Sequence, residues 1–240
     1  MSKIVDLGTL EALSGGEING IRMLPYGSNA VFEAILEVPS GDLRAIYKPR
    51  AGEAPLWDFP DGTLYQREYA AYLLSREAGW DLIPPTVIRD GPHGIGTMQL
   101  FIEHDEQATF FSLREERLAE FAAVAAFDSF TNNADRKGGD VLEDPDQRLW
   151  FIDHGLMFHT DYQLRTVIWE FQGEPIPDEI VERLRATATV IEPGAELEWR
   201  LRELLAVEEV ETLRARLSAL LKEPVYPWPG PHRSVPWPPV

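Results

Sequence analysis

The sequence predicts an α+β fold of two lobes, in which a β-rich lobe of residues 1–103 precedes a mainly helical lobe of residues 104–223. In the first hundred residues, short apolar runs alternate with turn signals such as "PYGSN" and "PSGD", as in a sheet built of hairpins. After residue 103, apolar residues recur every three or four positions, which is typical of packed helices. The last segment, residues 224–240, contains seven prolines and is expected to lie extended over the body or to dock a partner.

The β-rich lobe is predicted to contain five strands and one helix in the order β-β-β-α-β-β. Two apolar runs flank the turn "PYGSN", and "LRAIYK" forms the third strand. A helix is expected from about Leu64 to Ala78. Thr63 and Gln66 match a capping box before it, and Gly79 is a stop signal after it. The runs "PTVIRD" and "IGTMQLFI", joined by the turn "DGPHG", complete the sheet.

The helical lobe is predicted to begin with one long helix, "LREERLAEFAAVAAFDSF", preceded by a second capping box at Ser112 and Glu115. A single short strand, Leu149–Ile152, interrupts the helical pattern. The apolar spacing predicts three further helices, over Asp178 to about Ala188, Ala195 to Leu205, and Val207 to Leu221. Large aromatic side chains are usually buried, and core positions are therefore expected for Trp57, Trp80, Trp150 and Trp169.

Composition argues against several classes of function. The net charge is −18, which repels nucleic acid and anionic membrane surfaces. The absence of cysteine excludes disulfides, thiol catalysis and Cys-ligated metal sites. The N-terminal segment lacks the apolar core of a signal peptide, and the apolar run at residues 121–127 is too short to span a bilayer. We therefore expect a cytoplasmic protein without integral membrane association.

Three acids stand at intervals that suit phosphoryl transfer. Asp135 and Asp140 are five residues apart on the loop "ADRKGGD", and Asp153 follows thirteen residues later, after an apolar strand, in "FIDHG". Phosphoryl transfer needs Mg²⁺ held by oxygen ligands, a cation on the ATP phosphates and a carboxylate beside the attacking hydroxyl. Each acid alone would more often be a turn residue. Together, after a β-rich lobe, they favour a nucleotide site.

The pair "ADRKGGD" and "FIDHG" resembles the D-R-H-x-x-N and D-F-G motifs of the phosphatidylinositol 3-/4-kinase-like atypical kinases, and in particular small bacterial members of that group. The resemblance covers most of the chain and implies a two-lobed protein-kinase-like fold. By this resemblance Asp135 is the catalytic residue, and Asp140 and Asp153 hold Mg²⁺ or Mn²⁺. Arg136 and Lys137 match the basic pair after the catalytic acid and would contact ATP.

Two positions depart from the pattern of that family. Asp140 stands where Asn is usual, so it still offers an oxygen to Mg²⁺ but adds a negative charge that bears on metal preference. His154 stands where Phe is usual, and we interpret it as a packing residue beside Asp153. The spacing of the histidines at 104, 154 and 159 matches no zinc motif.

The β-rich lobe offers a partner for the phosphates. Lys48 ends the third strand and Glu68 lies on the following helix. A kinase fold pairs such residues so that the ammonium group is aimed at the α- and β-phosphates of ATP. Arg67, next to Glu68, is expected at the surface.

Two further segments of this lobe are candidates for nucleotide contacts. The turn "YGSN" would cover the phosphates through its backbone amides, Ser28 and Asn29, although it has one glycine and is a weak signal by itself. Gln99 and Phe101 lie at the end of the last strand, where a kinase has the hinge that contacts adenine. An apolar strand end explains these two positions equally well.

The function predicted from these residues is transfer of the γ-phosphoryl group of ATP to a hydroxyl acceptor, with Mg²⁺ or Mn²⁺. A protein Ser or Thr or a small polar molecule is favoured as acceptor over a lipid, because the chain is acidic and lacks a membrane-binding helix. Two alternatives remain open. One is a nucleotide-binding pseudokinase, and the other is transfer of AMP with ATP bound in the opposite direction.

Overall fold

A computed structural model describes residues 7–25, 27–39, 41–231 and 233–240, and it has the predicted α+β architecture. The first part is a five-stranded antiparallel sheet whose strand order is β1-β2-β3-β5-β4. Its strands are β1 (Glu17–Leu24), β2 (Val31–Val38), β3 (Gly41–Pro49), β4 (Thr86–Gly91) and β5 (Gly94–Leu100). The predicted succession of three strands, a helix and two strands is therefore confirmed.

Each face of this sheet packs against a helix at β4 and β5. One face packs against helix α1 (Leu7–Gly15), through a small core that contains Leu13, Ala45, Tyr47 and Met98. The sequence analysis did not predict α1, which has nine residues and fully buries only Leu13 among them. The opposite face, which carries alternate residues of β3 and β5, is turned towards helix α2 (Leu64–Glu77) and the site described below.

Helix α2 occupies the predicted position, but its predicted capping box is wrong. The Thr63 hydroxyl donates to the Pro60 carbonyl and makes no capping bond. The carboxylate of Glu53 instead accepts hydrogen bonds from the first amides of the helix, at 3.1 Å from Leu64 N and 2.8 Å from Tyr65 N. A carboxylate satisfies these free amides and also interacts favourably with the helix dipole. The cap is therefore supplied from the preceding loop, eleven residues away.

The second part is mainly helical. Its elements are α3 (Phe110–Arg117), a 3-10 turn (Leu118–Phe121), α4 (Ala122–Thr131), β6 (Val141–Glu143), β7 (Leu149–Phe151), α5 (Asp178–Val190), α6 (Glu196–Leu204) and α7 (Val207–Lys222). The three last helices agree with the prediction to within two residues. Strand β6, which pairs with β7, was not predicted, because three residues carry too little periodicity.

The predicted long helix at residues 113–130 is wrong in its start and in its continuity. It begins at Phe110, where Thr109 and Ser112 form a reciprocal capping box, and the 3-10 turn divides it. This turn places the fully buried ring of Phe121 against the rings of Phe110 and Phe151, at centroid distances of 4.9 and 5.9 Å. Packing of aromatic rings thus outweighs the local preference for one continuous helix.

A large core joins these helices to α2. Trp80 is buried in it, with its ring against Phe127 and Phe130 and its indole N–H donating to Thr187 Oγ1 at 2.8 Å. Trp150 is also buried, as predicted, whereas the prediction for Trp57 is wrong, since its side chain is 92% exposed.

The described residues after α7 include no helix, and the first of them pair with the helical lobe. The carbonyl of Pro224 accepts from Ile176 N at 2.8 Å, and Tyr226 exchanges backbone hydrogen bonds with the segment at residues 173–174. Within the described residues, no helix is long and apolar enough to cross a membrane.

Candidate active site

The sheet and the helical lobe bring three predicted residues together. Lys48 projects from β3 on the same face as Thr97, its partner in β5. Its Nζ atom lies 3.2 Å from Glu68 Oε2 and 3.3 Å from Asp153 Oδ1. Glu68 Oε2 also accepts a hydrogen bond from the backbone N–H of His154 at 3.0 Å. One strand, one helix and the loop after β7 therefore meet at a single ammonium group.

Electrostatics keep this ammonium group charged. Burial opposes its charge, but the carboxylates of Glu68 and Asp153 raise the pKa of Lys48 above its ordinary value. The pKa of Asp153 is lowered, chiefly by Lys48. Burial raises the pKa of Glu68, whose Oε1 atom has no hydrogen-bond partner among the described residues. The cluster thus presents one cation flanked by two acids, of which Asp153 is exposed and available to a ligand.

The loop after α4 carries Asp135. Asn132 ends the helix in the left-handed conformation, with φ of 60°, and Asn133 Oδ1 accepts the backbone N–H of Asp135 at 3.0 Å. The Asp135 carboxylate is half-buried and lies 2.6 Å from Lys137 Nζ. Burial raises the pKa of Asp135, and the hydrogen bond from Lys137 opposes that shift. A carboxylate held next to an ammonium group in this way can orient a hydroxyl and accept its proton.

The prediction that Arg136 contacts ATP is wrong. Its side chain is 1% exposed and forms a bidentate ion pair with Asp128, at 2.8 and 3.0 Å. Its remaining nitrogen donates to the Ile152 carbonyl at 2.9 Å, and Nη2 also lies 2.9 Å from His154 Nε2. Four of the five N–H donors of this guanidinium group are engaged inside the protein, and its burial leaves no face of it open to a phosphate in the cleft. Arg136 instead ties the Asp135 loop to the strand end that carries Asp153.

Asp140 lies behind the Asp135 loop. Its carboxylate is nearly buried, and Oδ2 accepts the backbone N–H of Lys137 at 2.7 Å. Its backbone carbonyl accepts from Ile152 N at 3.0 Å, which joins this loop to β7. Burial and the nearby charge of Asp153 raise the pKa of Asp140 to about 8. The charge of Asp153 therefore acts on Asp140, although the two acids belong to different loops.

Asp140 and Asp153 are the two acids predicted to hold a divalent cation. Among the described residues, no group of three or more His, Asp or Glu side chains is close enough to hold a metal by itself. Mg²⁺ in nucleotide sites commonly uses one or two carboxylates and takes its other ligands from phosphates and water. Two acidic oxygens, one of them exposed, therefore suit a cation that arrives with a nucleotide. His154 is fully buried, consistent with its interpretation as a packing residue.

The other predicted nucleotide contacts are more dispersed. Ser28 is exposed on the turn after β1, and Tyr26 of that turn lies outside the described residues. The Asn29 side-chain oxygen accepts from Ala54 N at 2.8 Å, so it fixes the loop that leads to α2. Near this loop is a cavity of about 510 Å³. Its lining, which includes Arg50, Glu53, Asp61, His93 and Ile95, contains no member of the Lys48 cluster.

The two predicted hinge residues have partners within the protein. Gln99 is buried on the same face of the sheet as Lys48, and its amide donates to Thr86 Oγ1 at 2.9 Å. The ring of Phe101 lies under the guanidinium group of Arg44, with 3.7 Å between Cζ and the ring centroid. The assignment of Gln99 and Phe101 to the adenine hinge stays a prediction.

Sequence reasoning missed several residues that position this site. Arg165 donates through Nε to the Ala134 carbonyl at 2.6 Å, and its charge acts to lower the pKa of Asp135. Its Nη2 atom lies 3.9 Å from Asp58 Oδ2, in the loop before α2. No signal near "ADRKGGD" points to Arg165, thirty residues later. Asn133, by contrast, is adjacent to the motif and could have been recognised as a turn-forming residue.

Arg67 was expected at the surface, and that prediction is wrong. It is 1% exposed, and its guanidinium group donates to the Met157 carbonyl at 2.9 Å and to Glu209 at 2.7 Å. Its Cζ atom lies 4.9 Å from the ring centroid of Phe59. The helix that carries Glu68 is thereby bound to the helical lobe.

Solved structures with a similar fold are kinases. The chain aligns with the Golgi casein kinase at a TM-score of 0.51 and 15% identity, over 89% of this chain and 74% of that chain. A second structure of that kinase, with Mn/ADP bound, gives the same values. The Helicobacter pylori proinflammatory kinase CtkA aligns at a TM-score of 0.54 and 11% identity, over 89% of this chain and 94% of that chain. The predicted kinase-like fold is therefore confirmed.

Similarity in sequence points to a bacterial relative. Protein Rv2133c of Mycobacterium tuberculosis is 37% identical over 261 aligned positions, which cover 94% of this chain and 93% of the relative. No protein-family model matches the chain. The resemblance to the phosphatidylinositol 3-/4-kinase-like kinases consequently stays a prediction.

Proposed function

The chain belongs to the family of Protein Rv2133c from Mycobacterium tuberculosis, and from its kinase-like fold we propose that it is a phosphotransferase that uses ATP and a divalent cation. The reaction is transfer of the γ-phosphoryl group to a hydroxyl acceptor. The observation that carries this proposal is the contact of Lys48 with both Glu68 and Asp153, beside a loop that presents Asp135 paired with Lys137. In this proposal residues 1–103 cover the nucleotide and residues 104–223 carry the catalytic loop.

The role of Lys48 follows from its neighbours. Glu68 is nearly buried and holds the ammonium group in place, while Asp153 is exposed beside it. A charged, positioned lysine at this point can bind the α- and β-phosphates. The exposed carboxylate of Asp153 and the carboxylate of Asp140 would hold Mg²⁺ or Mn²⁺, which neutralises the charge of the triphosphate when bound. The Golgi casein kinase structure with Mn/ADP is a precedent for this pairing in a similar fold.

The role of Asp135 is directed at the acceptor. In this proposal, Asn133 fixes its backbone, and Lys137 holds its carboxylate in one orientation. A carboxylate in that position aligns the acceptor hydroxyl and takes its proton as the new bond to phosphorus forms. Lys137 also places a positive charge where negative charge develops on the transferred group.

The acceptor is proposed to be a protein Ser or Thr or a small polar molecule. The net charge of −18 disfavours an anionic membrane surface as the place of reaction.

The direct test is incubation with γ-labelled and, separately, α-labelled ATP, in Mg²⁺ and in Mn²⁺. Label is followed on the protein, on small molecules and in the inorganic phosphate that hydrolysis releases. We expect transfer from γ-labelled ATP and none from α-labelled ATP, with Asp135→Asn as the control that retains nucleotide binding. Transfer of the α-label alone would identify an AMP transferase. Nucleotide binding without transfer of either label would identify a pseudokinase.

A further inference from the structure

The segment Ser234–Val240, here called the strap, runs from the helical lobe to the loop that separates Asp135 from Asp140. At its start, the Ser234 carbonyl accepts two hydrogen bonds, from Thr166 N and from the indole N–H of Trp169, both at 3.0 Å. Near its end, the Pro239 carbonyl accepts the backbone N–H of Gly138 at 2.7 Å. The strap is therefore fixed to the body and then contacts the candidate catalytic loop directly.

Gly138 is enclosed on its other side by α3. Its carbonyl accepts from Phe110 N at 2.8 Å. A Cβ atom at residue 138 would lie 2.5 Å from the Phe111 ring and 3.3 Å from the Pro239 carbonyl oxygen, so no larger residue fits. At Gly139, the nearest atom to such a Cβ would be Val240 Cγ1, at 4.0 Å. Gly138 is thus held between α3 and the strap, at the part of the loop where glycine makes the backbone most flexible.

The position of this contact matters because it lies between two functional acids. Glycine loses more conformational freedom on ordering than any other residue, so a pair of glycines is costly to hold in one conformation. Here Gly138 and Gly139 connect Lys137, which pairs with Asp135, to Asp140, which is predicted to bind metal. Without the strap, the Gly138 amide loses its acceptor, and the glycine pair itself is held only by the bond from Phe110 N to the Gly138 carbonyl, although the flanking residues Arg136 and Asp140 keep their own bonds.

We propose that the strap is a positioning element of the active site, which holds the Asp135–Asp140 loop in the geometry needed for phosphoryl transfer. This inference rests on the proposed function. The composition of the strap suits the task, since three of its seven residues are prolines, and a proline-rich segment loses little conformational entropy on docking. The strap contacts the loop by a backbone carbonyl, so it adds no charge to the site.

The test is a chain that ends at residue 237. It keeps both hydrogen bonds to the Ser234 carbonyl and loses only the contact of residues 238–240 with the loop. We expect amide hydrogen exchange in residues 136–140 to accelerate at least about tenfold, while the rest of the chain keeps its protection. We expect kcat for γ-phosphoryl transfer to fall by about 100-fold, because displacement by an ångström has that effect on an aligned reaction.

A synthetic peptide of residues 228–240, added to a chain that ends at residue 227, provides the second measurement. The peptide should restore loop protection and transfer, and a scrambled peptide of the same composition should restore neither. Unchanged transfer in the chain that ends at residue 237 would overturn the inference. Increased transfer would also overturn it and would identify the strap as an inhibitory segment. If the full-length protein itself transfers no phosphoryl group, it is the proposed function that fails.

Discussion

Replacing Arg136 with methionine should lower the stability of the protein strongly. The side chains of Arg136 and Asp128 are each 1% exposed, and two hydrogen bonds join them. Methionine fills a similar volume but leaves the Asp128 carboxylate buried with a single remaining side-chain donor, Asn133 Nδ2 at 3.0 Å. It also removes the donor to the Ile152 carbonyl. The substitution therefore removes the side-chain link between the Asp135 loop and Ile152, while the backbone bond from Ile152 N to the Asp140 carbonyl remains.

The magnitude follows from burial. Removing one partner of a fully buried ion pair costs about 3–5 kcal/mol, because the other charge is left without compensation. For a chain of this length, each kcal/mol lowers Tm by about 2–4 °C. The expected fall in Tm is therefore about 6–20 °C. Removing the stranded charge as well, in Asp128→Asn with Arg136→Met, should recover part of this loss.

Differential scanning calorimetry without nucleotide measures the effect, with Lys137→Met as the matched control. Lys137 is the adjacent cation, but its pair with Asp135 is half-exposed and should contribute about 1 kcal/mol or less. The reasoning would be refuted if Arg136→Met kept the wild-type Tm and instead weakened ATP binding. That result would restore Arg136 to the nucleotide site.

Three further outcomes are expected. Asp153→Ala should abolish the dependence of nucleotide binding on Mg²⁺ and, because Asp153 has a left-handed φ of 60° that alanine adopts poorly, lower stability by about 1 kcal/mol. Titration calorimetry with and without EDTA measures the binding, and equal affinity in both proteins would show that the metal lies elsewhere. Lys48→Met should weaken ATP binding by about 10–100-fold, through loss of charge-assisted hydrogen bonds, and a smaller change would exclude phosphate contact. Glu53→Ala should lower stability by about 1 kcal/mol, because it removes the cap of α2. Thr63→Ala should have a smaller effect in the same denaturant titration, since Thr63 makes no capping bond, and the reverse order would contradict the assigned cap.

The fold was largely predictable because its elements carry local signals. Alternating strands and turn residues identify the sheet, and three- and four-residue spacing identifies α5 to α7. The errors lie where distant residues decide the local structure. The cap of α2 comes from Glu53, and the break after α3 follows from packing of Phe121 against Phe151.

The candidate site was predictable where its charged residues stand at positions typical of a kinase motif. Spacing led to Lys48, Asp135 and Asp153, and the structure brings Lys48 and Asp153 into contact. Spacing could not tell an exposed cation from a buried one, so Arg136 was assigned to ATP and Arg67 to solvent. Burial is a property of three-dimensional packing, and neither residue has a neighbour in sequence that reveals it.

The anchoring of Arg67 bears on how the cleft can open. Arg67 ties α2 to Met157 and to Glu209 in the helical lobe, and α2 also packs against α5 and α6. Helix α2 also contacts β4 and β5, so it is packed between the sheet and the helical lobe, and the buried ion pair of Arg67 with Glu209 fixes it to the helical lobe. We expect the cleft to open by movement of the sheet relative to α2, with the contact between Lys48 and Glu68 broken in the open form and made again in the closed form. On closure, Lys48 would then move towards a fixed Glu68. An outward movement of α2 would instead require breaking the buried ion pair of Arg67 with Glu209.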